Sequence, residues 1–135
     1  MGLLDAVSHW LGGGGTVATV LVLGLDGAGK SALLAALSPS PVQQQALTQQ
    51  QQFSSGGVSF TACEVSGAAR HRALWERHYR RADAVIYVVD AADQLRLVVS
   101  RDELQQLVSH SDICSRRVPL LLLANKSDAP HAMSP

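Results

Sequence analysis

Apolar positions along the chain fall into two kinds of run. Continuous blocks, TVATVLVL (16–23), AVIYVVD (84–90) and VPLLLLAN (118–125), are β-branched or leucine-rich, as strands buried on both faces should be. VSFTACEV (58–65) is a fourth strand candidate. Spaced patterns mark helices. In LLDAVSHWL (3–11), Leu3, Val7, Trp10 and Leu11 stand at i, i+4, i+7 and i+8, with Asp5 and His9 off that stripe. The glycines at 12–15 end this helix and make a flexible joint. SALLAAL (31–37) has helical composition and stops at SPSP (38–41), and LRLVVSRDELQQLVSH (95–110) reads as an amphipathic helix. RHRALWERHYRR (70–81) is a basic helical stretch whose arginines read as a solvated face. Residues 42–57, including QQQALTQQQQFSSGG, follow neither period; this glutamine-rich segment reads as a loop.

Strands alternating with helices imply right-handed βαβ crossovers and a mainly parallel sheet, an α/β fold. The expected organisation is a leading amphipathic helix with its glycine linker (1–15), then one domain (16–135). In such a sheet the functional loops lie beyond the carboxyl ends of the strands.

Composition narrows the class. With 47% hydrophobic and 16% charged residues among 135, the chain can bury a core. Zero formal net charge and the lack of a long basic run argue against nucleic acid as a partner. Cys63 and Cys114 have no metal-ligand spacing and read as reduced thiols of a cytosolic protein. No cationic segment precedes the first apolar residues, so no secretory leader is expected, and the apolar runs are too short for a bilayer span.

Three strand exits carry chemistry. GLDGAGKS (24–31) fits G-x-x-x-x-G-K-[ST] between a predicted strand and a predicted helix. Gly24, Gly27 and Gly29, with Leu25, Asp26 and Ala28 between them, let backbone N–H groups approach phosphate oxygens. Lys30 supplies a cation for the β- and γ-phosphates, and the Ser31 hydroxyl is a hard-oxygen ligand for Mg²⁺. Alone, this loop suits a kinase, an ATPase or a GTPase. After VPLLLLA comes Asn125-Lys126-Ser127-Asp128, the N-K-x-D pattern. A carboxylate such as Asp128 accepts from the N1–H and exocyclic amine of guanine, whereas adenine would leave it unpaired. A phosphotransferase has no role for NKSD. The middle exit reads Glu64-Val65-Ser66-Gly67-Ala68. GTPases place D-x-x-G here, the Asp holding the magnesium shell through water and the Gly N–H sensing the γ-phosphate.

With these motifs the chain resembles the Arf-like branch of small GTPases. VLGLDGAGKS, SFTACEVSGAARHRALWERHY, VIYVVDAADQLRLVVSRDEL and RRVPLLLLANKSD follow the family order. The opening MGLLD, the S-G of the middle loop and the LW-E-HY helix are most similar to the branch that brings a ciliary trafficking coat, the BBSome, to membranes. The resemblance implies a P-loop NTPase three-layer fold lacking the final strand and helices. It implies a GTP/GDP switch with Mg²⁺ held at Ser31 and Thr48, and nucleotide contacts from 24–31, Gly67, Asn125, Lys126 and Asp128. It also implies a monomer, cytoplasmic and peripheral to membranes at the cilium or ciliary base, served by an exchange factor and an activating protein. Residues 3–11 would meet the membrane surface; Ala6 stands where the myristoylation pattern wants Ser or Thr, although Gly2 is present.

The chain also departs from the family pattern. Ala68 replaces the water-orienting glutamine, so no catalytic residue is assigned and hydrolysis is expected to be weak or absent. Glu64 replaces the aspartate and could crowd the metal shell. LTQQQQF stands for P-T-x-G-F, leaving Thr48 as the candidate γ-phosphate-sensing ligand. The alternative is a binding module without nucleotide control.

Overall fold

A computed structural model describes residues 17–37, 43–45, 48–55 and 58–126. The expected leading helix (3–11), its linker and Asp128 lie outside the described residues.

The elements in chain order are β1 (Val17–Leu23), α1 (Lys30–Leu37), β2 (Gln43–Gln45), β3 (Thr48–Ser55), β4 (Val58–Val65), a 3₁₀ segment (Ala69–Trp75) continued by α2 (Glu76–Tyr79), β5 (Ala84–Asp90), a 3₁₀ turn (Gln94–Arg96) leading into α3 (Leu97–Ser109), α4 (Ser111–Cys114) and β6 (Leu120–Asn125). The described strands form one sheet in the order β2-β3-β4-β1-β5-β6. β4, β1, β5 and β6 run parallel, and β2 and β3 pair antiparallel at one side. The expected α/β architecture with a mainly parallel sheet is the observed one.

β1 is central, and its alternation sorts the core into two layers. Ala18, Val20 and Val22 face one way with Phe60, Ala62, Ala84, Ile86 and Val88, under Leu34 of α1. Leu21 and Leu23 face the other way with Val65, Val85 and Tyr87, under Trp75, Tyr79, Leu107 and Ile113. That second layer is tied by polar contacts inside it: the buried Tyr87 hydroxyl donates to the Ser100 carbonyl at 2.8 Å. Each fully buried Leu or Val side chain contributes about 1.5–3 kcal/mol, so both helical layers are needed to hold the strand exits in place.

Two expectations are corrected here. Residues 43–45 and 48–55, read as loop, are strands: β3 lies in register with β4 from Thr48↔Val65 to Ser55↔Val58. The ladder uses main-chain groups, which glutamine supplies as well as valine does, and it pairs the β4 edge that β1 leaves free. The basic stretch 70–81 is not one α-helix. Its first half is wound as 3₁₀, with the His71 N–H donating to the Ala68 carbonyl at 2.8 Å, and the Trp75 indole N–H donates back to the Ser66 carbonyl at 2.9 Å. The same segment seats the buried Trp75 edge-on to Tyr87, with ring centroids 6.3 Å apart. The helix expected over 95–110 is observed as α3, with its leading turn wound as 3₁₀ and capped where Asp93 Oδ1 accepts from the Arg96 N–H.

Candidate functional site

Parallel strands β1, β4, β5 and β6 all end on one side, and their exits meet there. Beyond Leu23 the chain turns sharply through Gly24, whose φ is 150° and where any Cβ would collide with the Val88 carbonyl. It re-enters a helix at Lys30. Gly29, at φ 100°, lies against the Asn125 side chain, again with no room for a Cβ. These two glycines bring the loop into contact with β5 and with the β6 exit.

Lys30 is 5% exposed. Its ammonium donates to the Gly24 carbonyl at 2.7 Å and the Leu25 carbonyl at 2.9 Å, curling back over the loop. Burial pushes its pKa below the ordinary lysine value, while Glu64 and Asp26 pull the other way. A partly desolvated cation inside a glycine-lined turn at a helix N-terminus is a chemical match for phosphate oxygens.

The third exit packs on the first. Asn125 Nδ2 donates to the Ala28 carbonyl at 2.9 Å. Lys126 Nζ donates to the Gly27 carbonyl at 2.7 Å and pairs with Asp90 Oδ2 at 2.9 Å. Lys126 adopts φ 59°, a left-handed conformation that a lysine takes only when its surroundings hold it there. Residues separated by nearly a hundred positions thus form one cradle. Asp128, expected to read the base, lies outside the described residues.

The middle exit is latched onto the same loop. Gly67 sits against the Gly24–Asp26 backbone so closely that no side chain fits. Its carbonyl accepts from the Asp26 N–H at 3.2 Å and from Arg72 Nε at 2.9 Å. Ser66 Oγ lies 2.9 Å from His71 Nδ1. Glu64 reaches α1: the Ser31 hydroxyl donates to its carboxylate, at 2.9 Å from Oε1 and 3.0 Å from Oε2. Thr48 is the first residue of β3, opposite Val65 and one step from Gln49, the partner of Glu64. Ala68 follows Gly67 with only a methyl group to present.

Sequence reasoning missed the electrostatic frame. Arg72, read as part of a solvated face, has a side chain only 12% exposed and approaches Asp26 Oδ1 at 3.6 Å. It is drawn in by Gly67. Arg96 donates to the same Asp26 oxygen at 2.8 Å and to Asp93 Oδ2 at 2.7 Å. Partial desolvation would raise the Asp26 carboxyl pKa, but the Arg96 hydrogen bond and charge outweigh it and hold the pKa below the usual range. Asp90 behaves alike, with Lys126 as the outweighing partner. Arg96 lies 70 positions from Asp26 and Lys126 lies 36 from Asp90, so no local periodicity marks these pairs and only the folded loops bring them together.

A glycine-lined turn with a buried ammonium, hard oxygens at Ser31 and Glu64, and a polar wall from β6 suit a nucleotide's phosphates and a divalent cation. Comparison with known proteins agrees. A model of the ADP-ribosylation factor family matches residues 6–135. ADP-ribosylation factor-like protein 6 of Danio rerio is 42% identical over 139 residues, spanning 99% of this chain and 75% of its own length. The protein of the same name from Caenorhabditis elegans is 33% identical over 139 residues, spanning 99% and 73%. A solved structure described as the Arl6 BBS3 small GTPase from Trypanosoma brucei with bound nucleotide analogue GppNp superposes with a TM-score of 0.76 at 37% identity, over 87% of this chain and 72% of that one.

Proposed function

This chain belongs to the ADP-ribosylation factor family, and on that premise we propose that it is a guanine-nucleotide switch with weak or absent intrinsic hydrolysis that recruits a trafficking coat to membranes. Members of the family bind GTP and GDP, which supports the switch in its general form. The coat would be the BBSome, at the cilium or ciliary base, with residues 3–11 meeting the membrane surface. An exchange factor and an activating protein would set the nucleotide state of a monomer.

One observation carries the nucleotide reading: Asn125 and Lys126 are hydrogen-bonded to the Ala28 and Gly27 carbonyls of the phosphate loop. Base and phosphate recognition then belong to one cradle. In that cradle the amides of residues 24–31 would face the phosphates and the Lys30 ammonium would bridge the β and γ groups. Asn125 and Lys126 would hold the loop's shape, and Asp128 would accept from guanine. Ser31 would hold Mg²⁺ together with Thr48, and when bound the ion neutralises charge on the β- and γ-phosphate oxygens. Gly67, already latched to Asp26, would act as the moving part: a terminal phosphate drawing its N–H must act on that latch. Ala68 offers no group to orient a water, which is the reason hydrolysis should be slow.

Titration with fluorescent GTP, GDP and ATP in Mg²⁺ tests this reading. The guanine nucleotides should bind at least about 10²-fold more tightly than ATP, since a buried carboxylate left unpaired is costly. Equal affinity for GTP and ATP, or binding of neither, contradicts it. A second reading, a binding module without nucleotide control, draws support from the Glu64–Ser31 hydrogen bond, which engages the hydroxyl that Mg²⁺ would use. Membrane or coat binding that is the same with GDP and with a non-hydrolysable GTP analogue would favour it.

A further inference from the structure

We propose that Glu64 is a direct ligand of the divalent cation that accompanies the nucleotide, replacing a water that an aspartate at this position would leave in place. The inference rests on the nucleotide-switch reading. Its basis is a match of distances. Ser31 Oγ stands 2.9 Å from Glu64 Oε1 and 3.0 Å from Oε2. Adjacent oxygens on an octahedral Mg²⁺, with metal–oxygen bonds of 2.0–2.1 Å, are about 2.9 Å apart. The hydroxyl and the carboxylate therefore already hold the spacing of neighbouring ligands on one ion.

The backbone explains why the longer side chain reaches. Glu64 is the penultimate residue of β4, opposite Val22 of β1, while Ser31 is in the first turn of α1. Both elements are fixed by the buried layers around them, so the gap between them is set by the fold. An aspartate from the same Cα ends one carbon–carbon bond earlier, about 1.5 Å short, and a water is the natural filler. The phosphate-loop lysine does not occupy the carboxylate, since Lys30 Nζ donates to the Gly24 and Leu25 carbonyls. Glu64 is thus positioned to turn its oxygen from the Ser31 proton to a metal ion.

Two effects follow. The cation gains a full negative charge in its inner shell, so it should be held more tightly in the GDP state as well as the GTP state. The ion should also carry one water fewer.

Manganese reports both. The full chain loaded with GDP and Mn²⁺ is compared with Glu64→Asp and with the isosteric Glu64→Gln, counting metal-bound waters from ¹⁷O-water broadening of the Mn²⁺ resonance and titrating Mn²⁺ affinity. The wild-type complex should show one water fewer than Glu64→Asp, and both variants should bind Mn²⁺ about tenfold more weakly. Wild-type protein that binds GDP and Mn²⁺ with the same water count as Glu64→Asp, or a Glu64→Gln variant of unchanged or higher Mn²⁺ affinity, overturns the assignment and leaves the nucleotide reading standing. Failure of the wild-type chain to bind GDP at all overturns both.

Discussion

The two flanks of the candidate nucleotide site differ in kind. On the β6 side, Asn125 and Lys126 hold the phosphate loop through direct hydrogen bonds to Ala28 and Gly27, with Asp90 pairing to Lys126, and the N-K-x-D residue types are all present. On the β4 side the geometry is equally tight, with Gly67 pressed against Gly24–Asp26, but the residues depart from the pattern the sequence resembles, with Glu64 at the expected aspartate and Ala68 at the expected glutamine. The contrast separates holding a nucleotide from splitting it. The first needs shape and fixed donors. The second needs a group aimed at a water, and on the proposed reading Ala68 would offer only a methyl there.

Substitutions can break this contrast, and the largest effect belongs to the shared floor of the site. Lys30→Ala removes a buried ammonium that would make charge-assisted bonds to phosphate, each about 1.5–3 kcal/mol. Affinity for GDP and GTP alike should fall by about 10²-fold in a fluorescent nucleotide titration. Asn125→Ala, on the intact flank, leaves the Ala28 carbonyl without its side-chain donor. Nucleotide affinity should drop by about tenfold, and an unchanged affinity would mean the β6 exit does not shape the loop.

On the altered flank, Ala68→Gln should act on rate and not on affinity. One hydrogen bond gained in the transition state, about 1.4 kcal/mol, is tenfold in rate. Single-turnover phosphate release should therefore rise by at least about tenfold with nucleotide affinity unchanged; no rise would place the hydrolytic defect at Glu64.

The smallest effect sharpens the comparison through pH. Desolvation acts to raise the Asp90 carboxyl pKa, but the Lys126 hydrogen bond and charge, the Ala92 N–H and the charge of Arg96 together hold it below the ordinary carboxylate value in the folded protein. Its contribution to stability is fully present above the unfolded carboxyl pKa and is lost as pH falls through the lower folded value. Lys126 is half-exposed, so the contribution is no more than about 1 kcal/mol. Urea midpoints of wild type and Asp90→Asn should differ at neutral pH and converge in acid.

Much of this was legible in the chain itself, for physical reasons that also mark where reading stops. β1, β5 and β6 announce themselves because burial on both faces demands unbroken apolar runs. Gly24 marks a close backbone approach, where a Cβ would meet the Val88 carbonyl, and Gly29 marks a left-handed turn at φ 100° against the Asn125 side chain. β3 was hidden, since a ladder made by main-chain groups can be built from glutamines that carry no alternation. The convergence of Arg72 and Arg96 on Asp26 was hidden as well. Arg72 looks in the sequence like any other cation of a basic segment, but in the folded 3₁₀ segment its Nε donates to the Gly67 carbonyl. Among the described residues no helix is long and apolar enough to cross a membrane; the membrane contact proposed for residues 3–11 rests on the family resemblance together with their apolar stripe.

The central claim is that the phosphate loop and the β6 exit form one site for a guanine nucleotide. Its most direct test is to denature freshly purified protein and separate what it releases by ion-exchange chromatography. The account predicts GDP or GTP in near-equimolar amount with the chain; adenine nucleotide, or no nucleotide from protein that also fails to take up added GDP, would contradict it.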